Sequence, residues 1–197
     1  MAISTPPTCP GSSGLPVSQG AESNYKILAG EAEPLDHALG RSRGGLSCKI
    51  HQLVDGGGRP LVIALTAGQA GDSPMLKHLL DALTVPRLGP GRARTRPDAV
   101  LGDKAYSSRA NRDLLRGRNI KAVIAEPTDQ AGHRRRRGRH GGRPPAFNSE
   151  SYKDRNVVER SFNNHKQWRG LATRYDKLAT VYGGGTVLRA ILMWLRQ

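Results

Sequence analysis

The sequence predicts an α/β fold, a mixed sheet with an antiparallel edge and helices on its faces. Three observations predict it. Leu46, Cys48 and Ile50 alternate, Leu53 and Val54 close that run, and a second apolar run spans Leu61 to Leu65 beyond Asp55-Gly56-Gly57-Gly58. Two strands around an Asp-Gly turn make a β-hairpin. Two short apolar stretches, Val100-Leu101 and Ala122 to Ala125, alternate with segments of helical spacing, the order that builds a sheet with crossover helices. Two longer helical patterns then close the chain.

Taken in order, residues 1–24 are Ser, Pro and Gly with few apolar side chains, and read as disordered. Tyr25 to Leu28 could add a scrap of strand. After the hairpin, Asp72 is placed to cap a helix with Pro74 in its first turn. Met75, Leu76, Leu79, Leu80 and Leu83 recur at helical spacing up to Pro86. Residues 86–97 form a basic Pro/Gly loop. The strand at Val100-Leu101 ends at Gly102-Asp103; Ser107 or Ser108 caps a helix to about Arg118; Ala122 to Ala125 is the next strand. The stretch HRRRRGRHGGR (133–143) has six arginines and no apolar residue to fold around, so residues 126–149 read as a basic loop that stays extended unless an anion neutralises it. One helix is expected from about Ser149 to Arg169 and another from about Lys177 to Leu195.

Charge is the loudest compositional signal. Against 16 acidic residues stand 31 Lys and Arg, a net +15 in 197 residues. A fold does not require that excess, whereas a polyanionic partner does, and nucleic acid is the first candidate. No apolar run approaches the roughly 18 residues of a membrane span, and no membrane partner is expected. The N-terminus has neither the basic start nor the apolar stretch of a signal peptide. Cys9 and Cys48 form no CxxC pair. Cys48 reads as a small buried hydrophobe, and a reducing cytoplasm is the expected compartment. His133, His140 and His165 match no zinc-finger spacing. Trp168 and Trp194 fit core packing better than base stacking. Arg41 and Arg43, beside glycines, either touch DNA or are simply exposed.

The richest segment is the helix expected from Ser149. Tyr152, Arg155, Glu159 and Lys166 stand at offsets of 3, 4 and 7, within one narrow helical face. Val158, Phe162 and His165 lie beside it and can anchor it on a sheet. The cations can hold Glu159 ionised or meet phosphate oxygens. The plainer alternative is a solvated face with an Arg155–Glu159 pair contributing roughly 0.2–0.5 kcal/mol. Asp103 reads either as a turn residue or as a ligand group at the carboxyl end of a strand, where α/β sheets present such groups. Together Asp103 and Glu159 supply the one or two carboxylates by which Mg²⁺ is held for phosphoryl chemistry.

Tyr152-x2-Arg155-x3-Glu159-x6-Lys166, with DHALGRSRGGL (36–46), GQAGDSP (68–74), GDKAYSS (102–108), NVVERSFNNHKQWRG (156–170) and TRYDK (173–177), resembles the bacterial insertion-sequence DDE transposases, and within them the five-type branch of the insertion-sequence-four/five superfamily. The similarity covers residues 31–197, the C-terminal part of such an enzyme, with 1–30 an aberrant N-terminus. The resemblance implies a ribonuclease-H-like sheet carrying one Asp on its first, central strand, a second after the fourth and a Glu on a later helix. By position the second Asp is Asp103 and the Glu is Glu159, both catalytic and metal-binding. Tyr152, Arg155 and Lys166 would lie near the DNA backbone. It further implies two Mg²⁺ or Mn²⁺ ions roughly 3.5–4 Å apart, cleavage at insertion-sequence ends followed by strand transfer into target DNA, and a homodimer holding the ends together.

Residues 1–30 contain no Asp at all, and Asp36 and Asp55 belong to other words. The first central strand and its carboxylate are therefore expected to be missing, leaving a sheet with two unpaired inner edges and a truncated, inactive copy of the enzyme. The alternative is a non-catalytic DNA-binding protein or inhibitor of transposition. Arg134, Arg135, Arg136, Arg137, Arg139 and Arg143 lie where this family carries insertions and are expected on phosphates, without reading bases.

Overall fold

A computed structural model describes residues 2–4, 37–42, 45–174, 176 and 178–196. Among the described residues six strands form a mixed sheet: β1 (Ala2–Ser4), β2 (Gly40–Ser42), β3 (Gly45–Val54), β4 (Pro60–Ala67), β5 (Ala99–Gly102) and β6 (Lys121–Ile124). The expected hairpin is β3–β4, in register from Cys48↔Ala67 to Leu53↔Val62 and slipping between Leu53 and Val54. In its turn the Asp55 carboxylate accepts from the backbone of Gly57 and Arg59, both at 2.9 Å. Gly58 takes φ +86°, a left-handed conformation that suits glycine. β5 and β6 run parallel from Ala99↔Lys121 to Gly102↔Ile124.

Between these halves the expectation of an empty slot is corrected. Residues Ala2-Ile3-Ser4 occupy it, antiparallel to β5 through Ala2↔Leu101, Ile3↔Val100 and Ser4↔Ala99, and paired with β3 at Ala2↔Val54. Unpaired peptide groups inside a sheet are costly enough that any extended segment able to hydrogen-bond there is favoured. The slot is filled, but by residues that carry no carboxylate. The remainder of residues 1–30, with Tyr25 to Leu28, lies outside the described residues.

Strand alternation divides the core. Leu53, Val100 and Ile124 face one side, where they pack with Leu76, Leu79, Leu80, Leu83 and Leu115 from α1 (Met75–Asp81) and α2 (Arg109–Gly117). Their neighbours Val54, Ala99, Leu101 and Val123 face the other, against Val157 and Val158 of α5 (Asn156–Lys166). Each neighbouring pair splits between the faces, as a period of two requires.

Four further expectations change. The arginine-rich stretch is not extended: α3 (Thr128–Arg136) and a 3₁₀ turn (Gly138–Gly141) form within it. Arg, Gln and Ala are good helix formers, Asp129 lies in the first turn, and Arg134 is neutralised by Glu126. The helix from Ser149 is divided into α4 (Ser149–Lys153), α5 and α6 (Arg169–Ala172). Between α4 and α5 the chain stays right-handed, bridged by bonds from Arg155 N to Tyr152 O and Val158 N to Arg155 O, so Tyr152, Arg155 and Glu159 stay together. Asp72 does not cap α1 with its side chain, which turns to Lys49 instead. Cys48 is half-buried rather than buried. The last helix, α7 (Ala179–Leu195), is as expected and is joined to the hairpin by the Trp194 indole donating to Pro60 O at 2.9 Å.

Candidate active site

Ala99 and Leu101 point toward α5, and the same alternation carries Asp103, two residues on, to that side of the sheet just past the end of β5. Val157 and Val158 hold α5 on this face, and Glu159 follows them directly. The two carboxylates singled out in the sequence therefore line one cleft of about 260 Å³, together with Lys49, His51, Asp72, Tyr106 and Arg155.

Both carboxylates keep an oxygen that makes no hydrogen bond or ion pair among the described residues. Asp103 Oδ1 accepts from Ala105 N at 3.0 Å and caps a 3₁₀ turn, Lys104–Tyr106. Glu159 Oε1 accepts from Arg155 Nη2 at 2.8 Å. Arg155 in turn lies over the Tyr152 ring, 5.6 Å from its centroid. The third carboxylate, Asp72, sits 3.1 Å from Lys49 Nζ, which also donates to Ala70 O at 2.7 Å. Asp72 Oδ1 is 3.7 Å from His51 Nδ1, while His51 Nε2 meets the Thr66 hydroxyl at 2.7 Å. Burial holds the His51 imidazole below its ordinary pKa, against the opposing pull of Asp72. Burial pushes the Tyr106 phenol up, and the charges of Asp72 and Asp103 add to that.

These donors are the hard oxygens that Mg²⁺ or Mn²⁺ prefers, and Asp103 and Glu159 line the same cleft. Among the described residues no set of three His, Cys, Asp or Glu side chains is drawn together tightly enough to cage one. Asp72 is turned to Lys49, and β1 supplies no carboxylate.

Not every singled-out residue reaches the cleft. Tyr152 packs on the core beside Phe162, and Lys166 is exposed outside the lining. Arg134 Nε and Nη2 donate to the two Glu126 carboxylate oxygens, at 3.1 and 2.9 Å, and this contact holds the Glu126 carboxyl below its ordinary pKa. Arg136 contacts His133 at 2.9 Å. Arg135, Arg137, Arg139 and Arg143 are exposed. Sequence reasoning missed Lys49, His51 and Asp72. The signal available was the GQAGDSP word, in which Asp72 is the charged residue.

A mixed α/β sheet thus carries a cation-flanked carboxylate cleft at the end of one of its strands. Residues 14–194 match the family described as Transposase DDE domain, and the chain belongs to that family, whose enzymes carry out DNA transposition. It is 30% identical over 154 residues to a Brucella ovis protein named as a transposase for insertion sequence element IS6501, an alignment covering 77% of this chain and 100% of the relative. No solved structure matches the chain. β1 lies outside the matched span. Among the described residues no helix is long and apolar enough to cross a membrane.

Proposed function

We propose that this chain is a ribonuclease-H-like DDE transposase domain whose cleft holds a divalent cation and the DNA phosphodiester between Asp103 and Glu159. One observation carries this: two carboxylates far apart in sequence line a single cleft, flanked by Arg155 and Lys49. Mg²⁺ or Mn²⁺, when bound there, supplies activation of the attacking oxygen and charge stabilisation. The protein's own part is positioning. Arg155 orients Glu159 through its hydrogen bond, and the Ala105 amide fixes the Asp103 carboxylate. The exposed arginines of residues 134–143, with Lys166, hold the DNA backbone, and two copies pair the insertion-sequence ends.

The non-catalytic reading keeps a specific support, since the central strand beside β5 brings no carboxylate. As it stands the chain has two of the three acidic ligands, so cation binding is expected and nicking of insertion-sequence-end DNA is not. Calorimetric titration with Mn²⁺ is the test. Asp103→Asn and Glu159→Gln should each remove binding while leaving the circular dichroism spectrum intact. Nicking is expected once an Asp-bearing strand replaces Ala2–Ser4. Unaltered Mn²⁺ affinity in both variants would refute the site. DNA binding without cutting after that replacement would favour the binding-only role.

A further inference from the structure

A second and larger cavity, of about 460 Å³, lies along the outer edge of the sheet. It lies within the roughly 300–1,000 Å³ of pockets that hold small ligands. Its floor is β6 at Lys121, Ala122 and Val123, and α2 contributes Arg112 and Arg116 to one wall. The segment Pro145–Asn148 closes the opposite wall. Three cations face this space, and its lining contains no carboxylate, in contrast to the cleft beyond α5.

The cations are not equivalent. Arg112 is tied to Ser107 Oγ and Ile124 O, at 2.9 and 3.0 Å, and serves as a wall. Arg116 is an exposed side chain paired with Asp113 at 2.7 Å on the helix surface, a contact of the solvent-screened kind that contributes little. Lys121 is exposed and makes no ion pair among the described residues. It is available to a phosphate.

Phe147 gives the cavity an unusual feature. It is a large apolar ring left 46% exposed at the rim of a basic groove. Its inner edge rests on Tyr152, with centroids 5.1 Å apart and planes at 60°. Tyr152 lies beneath Arg155, which holds Glu159. A ring in this position can offer a face to a nucleobase while its inner edge is braced by Tyr152. Basic side chains that follow a backbone, with an aromatic face beside them, are the elements by which proteins hold unpaired nucleic acid. Duplex DNA would present phosphates to Lys121 and Arg116 but no free base to Phe147.

We propose that this groove binds an unpaired DNA strand, with a phosphate on Lys121 and Arg116 and a base stacked on Phe147. The site is separate from the cation cleft and stands whether or not the chain cuts DNA.

The test measures fluorescence anisotropy of a labelled ten-nucleotide oligothymidylate and of a duplex of equal length, without divalent metal and across a range of salt. Phe147→Ala is expected to weaken single-strand binding by about tenfold and duplex binding by less than about twofold. Phe147→Trp should restore it. Lys121→Ala should lower the slope of log affinity against log salt by about 0.7, the value for one phosphate of a single strand. The factor lost in Phe147→Ala should be the same whether Glu159 is present or replaced by Gln, so failure here is distinct from failure of the cation site. Equal losses on single strand and duplex, an unchanged salt slope in Lys121→Ala, or tighter binding of oligouridylate than of oligothymidylate would each overturn the proposal. Should Phe147→Ala not fold, Phe147→Trp and the exposed Lys121→Ala decide it alone.

Discussion

Arg189 is the most consequential residue that neither carboxylate touches. It is 2% exposed on α7, and its guanidinium reaches the C-terminal end of the helix carrying Glu159. Nε and Nη2 donate to Asn164 O at 2.9 and 2.8 Å, and Nη2 also donates to Gln167 Oε1 at 3.1 Å. The group lies 5.5 Å from the Trp168 ring centroid. The last carbonyls of a helix have no partner within it, and a cation there also meets the negative end of the dipole. Replacing Arg189 by Met keeps much of the volume and removes all three donated bonds. Hydrogen bonds from charged donors contribute about 1.5–3 kcal/mol each. Two of these share one carbonyl, and removing a buried charge returns its desolvation cost, so the net loss expected is about 3 kcal/mol. For a chain of this size that corresponds to a fall in Tm of roughly 6–12 °C. Arg189→Lys, with the charge but not the forked geometry, should fall between. Thermal unfolding followed by circular dichroism measures both. A fall below about 2 °C, or a gain, would refute the claim that Arg189 clamps α5.

Three other outcomes are expected. Asp55→Asn should cost about 3–5 kcal/mol in urea unfolding, because it leaves Arg59 buried opposite a neutral amide where the carboxylate now meets Nε and Nη2 at 2.5 Å. His51 and His165 both have lowered pKa values, chiefly through burial. Their stabilisation is therefore complete above the ordinary value of 6.5 and is lost as pH falls through it toward the depressed folded values; Tm should drop from pH 7.5 to 5, less steeply in His165→Gln. Glu126, lowered by Arg134, acts in a separate window below pH 4.5. Glu126→Gln frees Arg134, and the salt slope of duplex binding should steepen by about 0.9, a change absent if Arg134 never meets phosphate.

What was legible in the sequence depended on the range over which each signal acts. The hairpin, β5, β6 and α7 follow from local periodicity, and the Ser108 cap from one side chain bonding to Asn111 N. Asp103 and Glu159 could be singled out because one ends an apolar strand and the other lies on a face of helical spacing, both local signals, and because both fall at positions of the family motif. The filling of the central slot was not, since Ala2-Ile3-Ser4 has no pattern of its own and is fixed by vacant hydrogen bonds on strands far along the chain. Asp72 looked like a helix cap because the competing partner, Lys49, lies across the hairpin. The arginine run looked self-repelling because Glu126, which neutralises Arg134, stands eight residues away, outside the run.

The charges in the cleft determine how DNA must enter it. Asp72, Asp103 and Glu159 stand against Lys49 and Arg155, so with His51 neutral the lining is formally one charge negative within a protein of net +15. The whole molecule attracts DNA, but this cleft by itself repels a phosphate. A bound dication reverses the local sign, so metal and DNA should bind there cooperatively, and by linkage each should raise the other's affinity by the same factor. A coupling of 5–150-fold is the usual range for such effects. Titrating insertion-sequence-end duplex with and without Mn²⁺, then Mn²⁺ with and without duplex, measures both arms. Coupling that vanishes in Glu159→Gln is expected. Equal DNA affinity with and without Mn²⁺ in the unaltered protein would place the phosphate elsewhere and leave the carboxylates without a nucleic-acid role.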